Sequence, residues 1–299
     1  MTTLEIRQVD AFTTEPFGGN PAGVVLDAAP LSDAQMQIIA REMNVSETAF
    51  LLPPSRPGAD FRIRWFTPTV EVDLCGHGTV ACLHAAMEEG RLEPGAYRME
   101  CLAGVLPVEL VRGEGGGPVV RLGLPAPDLV EWNIAGCRLT DALGLDPDDL
   151  ARGLAVMRSG RWGVVPLSGL AALRRARPDI PAVRELEAAE GIGELIALTT
   201  ETMDAGSAVH LRMFAPACGI DEDPVTGAAQ GPVAAFLARH ALLVPAPDGS
   251  ARYVAEQGDV MARPGRVQVD LTIDGGRASS ITISGRAVTV MTGRLYLRV

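Results

Sequence analysis

The segment from Asp73 to Met87 constrains the fold most strongly, because a polar, glycine-containing turn leads directly into an apolar run. The eight residues after Thr79 are apolar except His84. A helix that is apolar on almost every face is buried in a protein core, and this run is too short to cross a bilayer. Thr79 is the predicted helix cap. We therefore expect a buried helix whose N-terminus, beside Cys75 and His77, favours an anion.

A second segment, from Asp223 to Ala238, has the same arrangement of an acidic turn, a glycine and a nearly apolar helical run. Thr226 is its predicted cap, and Pro232 falls in the first turns, where a missing amide costs least. Two such segments about half a chain apart indicate either two related halves or the chance recurrence of a common alanine-rich helix. The pattern alone leaves both interpretations open.

The composition is that of a soluble, enzyme-sized globular protein, with 299 residues, 47% hydrophobic and 21% charged. That length allows two ordinary domains or one large one. A net charge of −11 argues against nucleic acid or an anionic membrane as partner, since both attract basic patches. The five cysteines are scattered and form no Cys-x-x-Cys pair, which favours free thiols. With no evident signal peptide, we expect a cytoplasmic protein.

Strand patterns outnumber helical ones along the chain, and each half carries one predicted buried helix. A strongly curved sheet wrapped round a helix would bury that helix on all sides, which predicts an α+β fold. The alternative is a layered α/β protein with its helices outside. The stretch from Pro125 to Trp132, which contains two prolines, is the predicted crossing between halves, so that the halves are residues 1–128 and 129–285.

Three acidic or basic residues are candidates for chemistry. Glu47 precedes an apolar strand, where partial desolvation would raise its pKa toward values useful in acid–base catalysis; considered alone, however, an exposed loop residue is the favoured interpretation. His77 lies in the first glycine turn, where it could transfer protons or simply face water. Asp223 is the member of the acidic cluster 221–223 expected to face a site, although the cluster as a whole resembles a solvated loop.

Cys75 precedes a helix N-terminus, which lowers the pKa of a thiol and could make it a base. Most such cysteines are small core residues, and this interpretation is favoured. No metal site is expected, because the four histidines show no paired spacing with one another or with cysteine. No phosphate-binding loop and no dinucleotide-binding glycine motif occurs.

Taken together, several segments resemble the PhzF-like family of phenazine-biosynthesis isomerases and epimerases. The matching segments run in the family's order and are 8–12 (QVDAF), 18–24 (GGNPAGV), 46–50 (SETAF), 64–68 (RWFTP), 72–77 (VDLCGH), 222–227 (EDPVTG) and 256–258 (EQG). The resemblance implies a diaminopimelate epimerase-like fold of two pseudo-symmetric halves, each a barrel-like sheet around a central helix, with the active site in the cleft between them. It also implies a last strand, about 286–299, that returns to the first half, no metal or organic cofactor, and a homodimer.

By the same resemblance, Glu47 is the general acid/base that moves a proton on a small carboxylated substrate, with His77 and Asp223 as its catalytic companions. The positions implied to bind substrate are Asn20, Asp73, Gly76, Gly78, Thr226, Gly227 and Ala228. Amides of the two glycine turns would hold the anion, and preorganised donors of this kind are worth a few kcal/mol.

Two departures from the family pattern bear on the reaction. Many members have serine where this chain has Ala228, and Gln230 stands where histidine is expected, which puts the phenazine precursor in doubt as substrate. Cys75 raises the alternative of a two-thiol racemase or a cysteine-dependent dehydratase, but the second turn begins with Asp223, and Cys218 lies five residues early. A non-catalytic small-molecule binder is the third hypothesis.

Overall fold

A computed structural model of the chain describes residues 2–297. Arg298 and Val299, which end the predicted returning strand 286–299, lie outside the described residues. The chain divides into two compact units, one of residues 2–123 with 283–297 and one of residues 124–282. Among residues 2–297, none of the helices combines the length and hydrophobicity needed to span a bilayer.

The described part of the chain contains eighteen strands and six α-helices. The strands are β1 (Thr2–Ala11), β2 (Asn20–Val25), β3 (Glu47–Leu52), β4 (Phe61–Phe66), β5 (Glu71–Val72), β6 (Gly95–Cys101), β7 (Gly104–Arg112), β8 (Pro118–Leu124), β9 (Val130–Glu131), β10 (Met157–Ser159), β11 (Trp162–Pro166), β12 (Glu194–Thr199), β13 (Val209–Ala215), β14 (Ile220–Asp223), β15 (Ser250–Gln257), β16 (Gly265–Asp274), β17 (Arg277–Gly285) and β18 (Ala287–Leu297). The helices are α1 (Asp33–Met43), α2 (Gly76–Glu88), α3 (Gly136–Leu143), α4 (Leu170–Arg175), α5 (Ile180–Glu190) and α6 (Gln230–Arg239).

In the first unit the strands pair in the order β18, β1, β2, β3, β4, β6, β7 and β8, and β5 also pairs with β4. Two pairs are parallel, β2 with β3 and β4 with β6, and their crossovers contain α1 and α2 respectively. β18 pairs antiparallel with β1, so the end of the chain completes the first unit.

Helix α2 is the predicted buried helix, and every residue from Gly76 to Met87 is buried. Its cap differs from the prediction. The helix begins at Gly76, so that Cys75 is the N-cap, and its sulfur accepts a hydrogen bond from the Gly78 amide at 3.2 Å. Thr79 lies inside the first turn and donates to the Cys75 carbonyl at 2.6 Å. The sulfur therefore lies directly at the helix N-terminus.

In the second unit the pairing order is β9, β10, β11, β12 and β13, followed by β15 and β16, and β14 also pairs with β13. Two pairs are again parallel, β11 with β12 and β13 with β15. Helix α6 is buried from Gln230 to Ala238. Its N-cap is Ala229 and not the predicted Thr226, because the chain makes a further turn after Gly227 before the helix begins.

The two units repeat one chain order. Each has an antiparallel pair, a helical crossover to a parallel strand, an antiparallel strand, a short returning strand, a buried helix, a parallel strand and an antiparallel strand. The short returning strands are β5 and β14. This shared order favours two related halves over chance recurrence. The acidic cluster expected to be a loop is strand β14, because its backbone pairs with β13 at Ile220 and Asp223.

The burial of Glu187, on α5 of the second unit, can be tested through the pH dependence of stability. Its side chain is fully buried, Oε2 accepts the Ala217 amide at 2.9 Å, and Oε1 has no hydrogen-bond partner in the described structure. Burial raises the pKa of Glu187 to about 7, against the opposing effect of the Ala217 amide.

The folded protein therefore binds this proton more tightly than the unfolded chain, whose glutamate has a pKa of about 4.5. The free energy of unfolding should fall as pH rises from about 4.5 to about 7, by less than about 3 kcal/mol, since one pKa unit is worth about 1.4 kcal/mol. In Glu187→Gln we expect this part of the pH dependence to disappear in denaturant titrations. The exposed neighbour Glu185 provides the control Glu185→Gln, and an unchanged pH slope in Glu187→Gln would contradict the assignment.

Candidate active site

Three elements of the first unit bring polar side chains together. β2 and β3 are parallel, with Ala22 opposite Glu47, so their N-terminal residues Asn20 and Glu47 lie at the same edge of the sheet. The side chain of Thr48 packs over Gly23 there, since a Cβ on Gly23 would lie 2.7 Å from Thr48 Oγ1. The N-terminus of α2 adds Cys75 and His77. Glu47 is 8% exposed and belongs to a strand, so it is not an exposed loop residue.

The ring of His77 is the centre of this cluster. Its Nε2 lies 3.0 Å from Glu47 Oε2 and 3.3 Å from Ser46 Oγ. Its Nδ1 lies 3.2 Å from Asn20 Nδ2 and 3.5 Å from Cys75 Sγ. Glu47 Oε2 receives no well-aligned hydrogen bond, and its contact with the ring is an ion pair when His77 is protonated.

The charges of the pair support each other. Burial acts to raise the pKa of Glu47, but His77 outweighs it, and the pKa is lowered. Burial likewise acts to lower the pKa of His77, yet Cys75 and Glu47 raise this pKa well above its ordinary value. The prediction that the pKa of Glu47 is raised is therefore wrong, since a buried carboxylate with a buried cation beside it stays ionised.

Burial, followed by the Glu47 charge, raises the pKa of the Cys75 thiol. The lowering expected from the helix N-terminus is outweighed, although the amide of Gly78 does reach the sulfur.

The implied substrate-binding positions near α2 differ in exposure. Gly76 and Gly78 are buried in its first turn, whereas Asp73 is exposed and precedes the N-cap by two residues. The substrate-binding role of Asp73 stays a prediction. Gly78 is required by packing, because a Cβ there would lie 2.7 Å from Trp65 Cδ1 and 3.1 Å from Cys75 Sγ.

The second unit holds its own polar cluster around Asp223, the last residue of β14. The Thr226 hydroxyl donates to the Asp223 carboxylate. Gln257, at the end of β15, donates to the Asp223 carbonyl at 2.7 Å and accepts the Thr226 amide at 2.9 Å. The side chain of Gln257 thus fixes the turn that leads to Gly227, which is buried, and Ala228, which is partly buried.

Two residues of these clusters were not expected from the sequence. Ser46 precedes Glu47 in the Ser-Glu-Thr segment, and Gln257 lies within Glu-Gln-Gly. Both belong to segments that carry the family resemblance, so their positions were a signal, but nothing in the residue pattern shows which atoms they contact.

Glu47, Cys75 and His77 each offer a donor atom, and the three atoms lie within 4.8 Å of one another. Carboxylate, thiolate and imidazole are the ligands that transition metals such as Zn²⁺ use. The spacing argument against a metal did not cover this set, because Glu47 comes from a segment separate from that of Cys75 and His77. The resemblance, by contrast, implies chemistry without a metal.

Comparison with known proteins places the chain. The profile of the family described as phenazine biosynthesis-like protein matches residues 9–293. The chain belongs to this family. An uncharacterized isomerase of Clostridium acetobutylicum is 34% identical, over 98% of both chains, and one of Pseudomonas aeruginosa is 38% identical, over 98% of this chain and 99% of the relative.

Solved structures agree with this placement. The crystal structure of the Bacillus anthracis phenazine biosynthesis protein of the PhzF family has a TM-score of 0.90 and 34% identity, covering 99% of this chain and 100% of that one. A hydroxyproline epimerase of Agrobacterium vitis, at 15% identity and a TM-score of 0.56 over 98% of this chain and 92% of that one, shares the fold alone. The predicted α+β fold of the PhzF and epimerase type is thereby confirmed.

Gly78→Ala tests the packing at the helix start. Alanine in a helix interior ordinarily stabilises it by up to about 1 kcal/mol, but here the added methyl group meets Trp65 and Cys75. Overpacking costs about 1–3 kcal/mol, so we expect net destabilisation in denaturant titrations. Gly123, with open space at its Cβ position and no positive φ, gives the control Gly123→Ala. Equal stability of Gly78→Ala and wild type would contradict the packing described.

Proposed function

We propose that this protein is a cofactor-independent isomerase that moves a proton on a small carboxylated metabolite. Relatives that are named isomerases, over almost the whole chain, support an isomerase- or epimerase-type function. The observation that carries the proposal is the buried pair of Glu47 and His77 at the N-terminus of α2. An ionised carboxylate there is a base held beside a donor and a positive helix end.

In the proposed reaction, the Glu47 carboxylate removes a proton from a carbon of the substrate and becomes a carboxylic acid. The electron pair left behind is delocalised into the adjacent unsaturated or carboxyl group. Protonated His77 and the first amides of α2 stabilise the developing negative charge, an effect typically worth a few kcal/mol per donor. Glu47 then returns the proton to another carbon, or to the same one, which regenerates the carboxylate.

We assign Asp223, together with Thr226, Gly227 and Ala228, to substrate binding and protonation in the same reaction. The support is that the Asp223 turn is fixed by Gln257 and carries the family's second motif. Ala228 offers no hydroxyl, so the substrate should be one that does not depend on a hydrogen bond from this position.

The test is incubation of candidate amino and hydroxy acids in deuterated water, with detection of deuterium at carbon. Glu47→Gln should lower the exchange rate at least about 100-fold, since a positioned acid–base group contributes about 10²–10⁴-fold. Glu42→Gln, an exposed carboxylate on α1, is the matched control. Exchange in Glu47→Gln at the wild-type rate would show that Glu47 is not the base.

A second candidate is a cysteine-dependent racemase or dehydratase, favoured by the 3.5 Å contact of Cys75 Sγ with the His77 ring. The raised thiol pKa speaks against it. In the same assay, loss of exchange in Cys75→Ala with exchange retained in Glu47→Gln would select this mechanism. Stoichiometric binding of a carboxylate without any exchange would instead indicate a binding protein.

A further inference from the structure

Two buried arginines occupy the same place in the two repeated chain orders. Arg64 lies on β4 and Arg212 on β13, the antiparallel strands that precede the short returning strands. Each is almost fully buried, and each guanidinium lies 5.0 Å from the ring centre of the phenylalanine two positions later, Phe66 or Phe214. Stacking of this kind orients a planar guanidinium.

Each arginine holds a glutamate of the short returning strand through two parallel hydrogen bonds. Arg64 donates to Glu71 on β5 at 2.7 and 2.6 Å. Arg212 donates to Glu222 on β14 at 2.7 and 2.8 Å. Bidentate pairs of arginine with a carboxylate are strong, and they also fix the relative geometry of the two side chains.

The remaining nitrogen of each arginine reaches the helical crossover of its own unit. Arg64 Nη1 donates to Asp33, the first residue of α1, at 2.5 Å. Arg212 Nη1 donates to the carbonyls of Leu173 and Ala176, at the end of α4, at 3.0 and 2.8 Å. Each arginine therefore ties a central strand, a crossover helix and a short returning strand together.

The short returning strands are held only weakly by their own backbone pairing. β5 has only two residues, and β14 pairs with β13 at just two positions, with a shift of register between them. Few backbone hydrogen bonds define where these strands lie. The site turns follow them at once, since Glu222 precedes Asp223 directly and Glu71 lies four residues before Cys75.

We propose that Arg212 and Glu222 are positioning residues that set the place of Asp223, and that Arg64 and Glu71 do the same for the turn of Cys75 and His77. We assign neither pair a contact with the substrate. The placement of the turns follows from the contacts above, whereas its effect on catalysis rests on the proposed function.

The experiment uses Glu222→Gln and the milder Arg212→Lys, which keeps the charge and loses the two-pronged geometry. The control is Arg252→Lys, because Arg252 forms an exposed ion pair with Asp270 across β15 and β16 of the same unit. Hydrogen exchange of the turn amides, including that of Thr226, should quicken about tenfold or more in both variants, and not in the control. Such local opening is distinct from global unfolding. Turn amides protected as in wild type in both variants would overturn the placement, whatever the reaction is.

The catalytic arm is a double-mutant cycle on deuterium exchange. Glu222→Gln should lower kcat/KM about tenfold or more in the wild-type background and add little in an Asp223→Asn background, because a positioning residue acts through the residue it positions. The same fold loss in both backgrounds would show a merely structural role and overturn the proposal. Arg212→Lys should give the same non-additivity. Failure of the proposed function would appear separately, as unchanged exchange in Glu47→Gln.

Discussion

The buried contact between Glu47 and His77 is the interaction on which the candidate site depends. A lone carboxylate or a lone imidazolium at this depth would be driven to its neutral form, because burial disfavours charge. Side by side they hold each other's charge, and the pKa of Glu47 falls although burial acts to raise it. Parallel pairing of β2 with β3 supplies Asn20 and Glu47, and burial of α2 supplies His77 and Cys75. Removing one partner should therefore shift the pKa of the other toward its neutral form.

The repeated chain order gives the two units similar frameworks that carry different clusters of polar side chains. In one, the glycine turn after the returning strand brings His77 to Glu47 of β3; in the other, the returning strand ends in Asp223, which threonine and glutamine hold. The bidentate pairs of arginine with glutamate occur in both units, so they belong to the shared framework.

Much of the fold could be predicted from the sequence, and the predictions that failed did so for physical reasons. The apolar runs after both glycine turns predicted buried helices, because burial on all faces leaves a clear pattern. The caps were missed because Thr79 and Thr226 are good capping residues by type, yet which residue caps a helix depends on where the backbone leaves the helical conformation. β14 was read as a loop because acidic residues have low strand propensity, and its pairing with β13 is a long-range contact.

Glu47 shows most clearly what the sequence alone leaves undetermined. Its neighbours in the sequence do not distinguish an exposed loop from a buried strand, and only the family resemblance gave it a role. Its ionised state depends on His77, thirty positions away in the chain, and the contacts of Ser46 and Gln257 are likewise fixed by tertiary structure. The spacing of the Arg-x-Phe segments before both turns was present in the sequence, but their partnership with Glu71 and Glu222 required the strand pairing.

The central claim, that Glu47 and His77 form an ionised pair before substrate binds, is tested most directly by the ¹⁵N NMR shifts of the His77 ring. At about pH 8, where an ordinary histidine is neutral, wild type should show both ring nitrogens protonated. In Glu47→Gln the same ring should be neutral, since its partner charge is gone. A neutral His77 ring in wild type at that pH, or an unchanged doubly protonated ring in Glu47→Gln, would contradict the account.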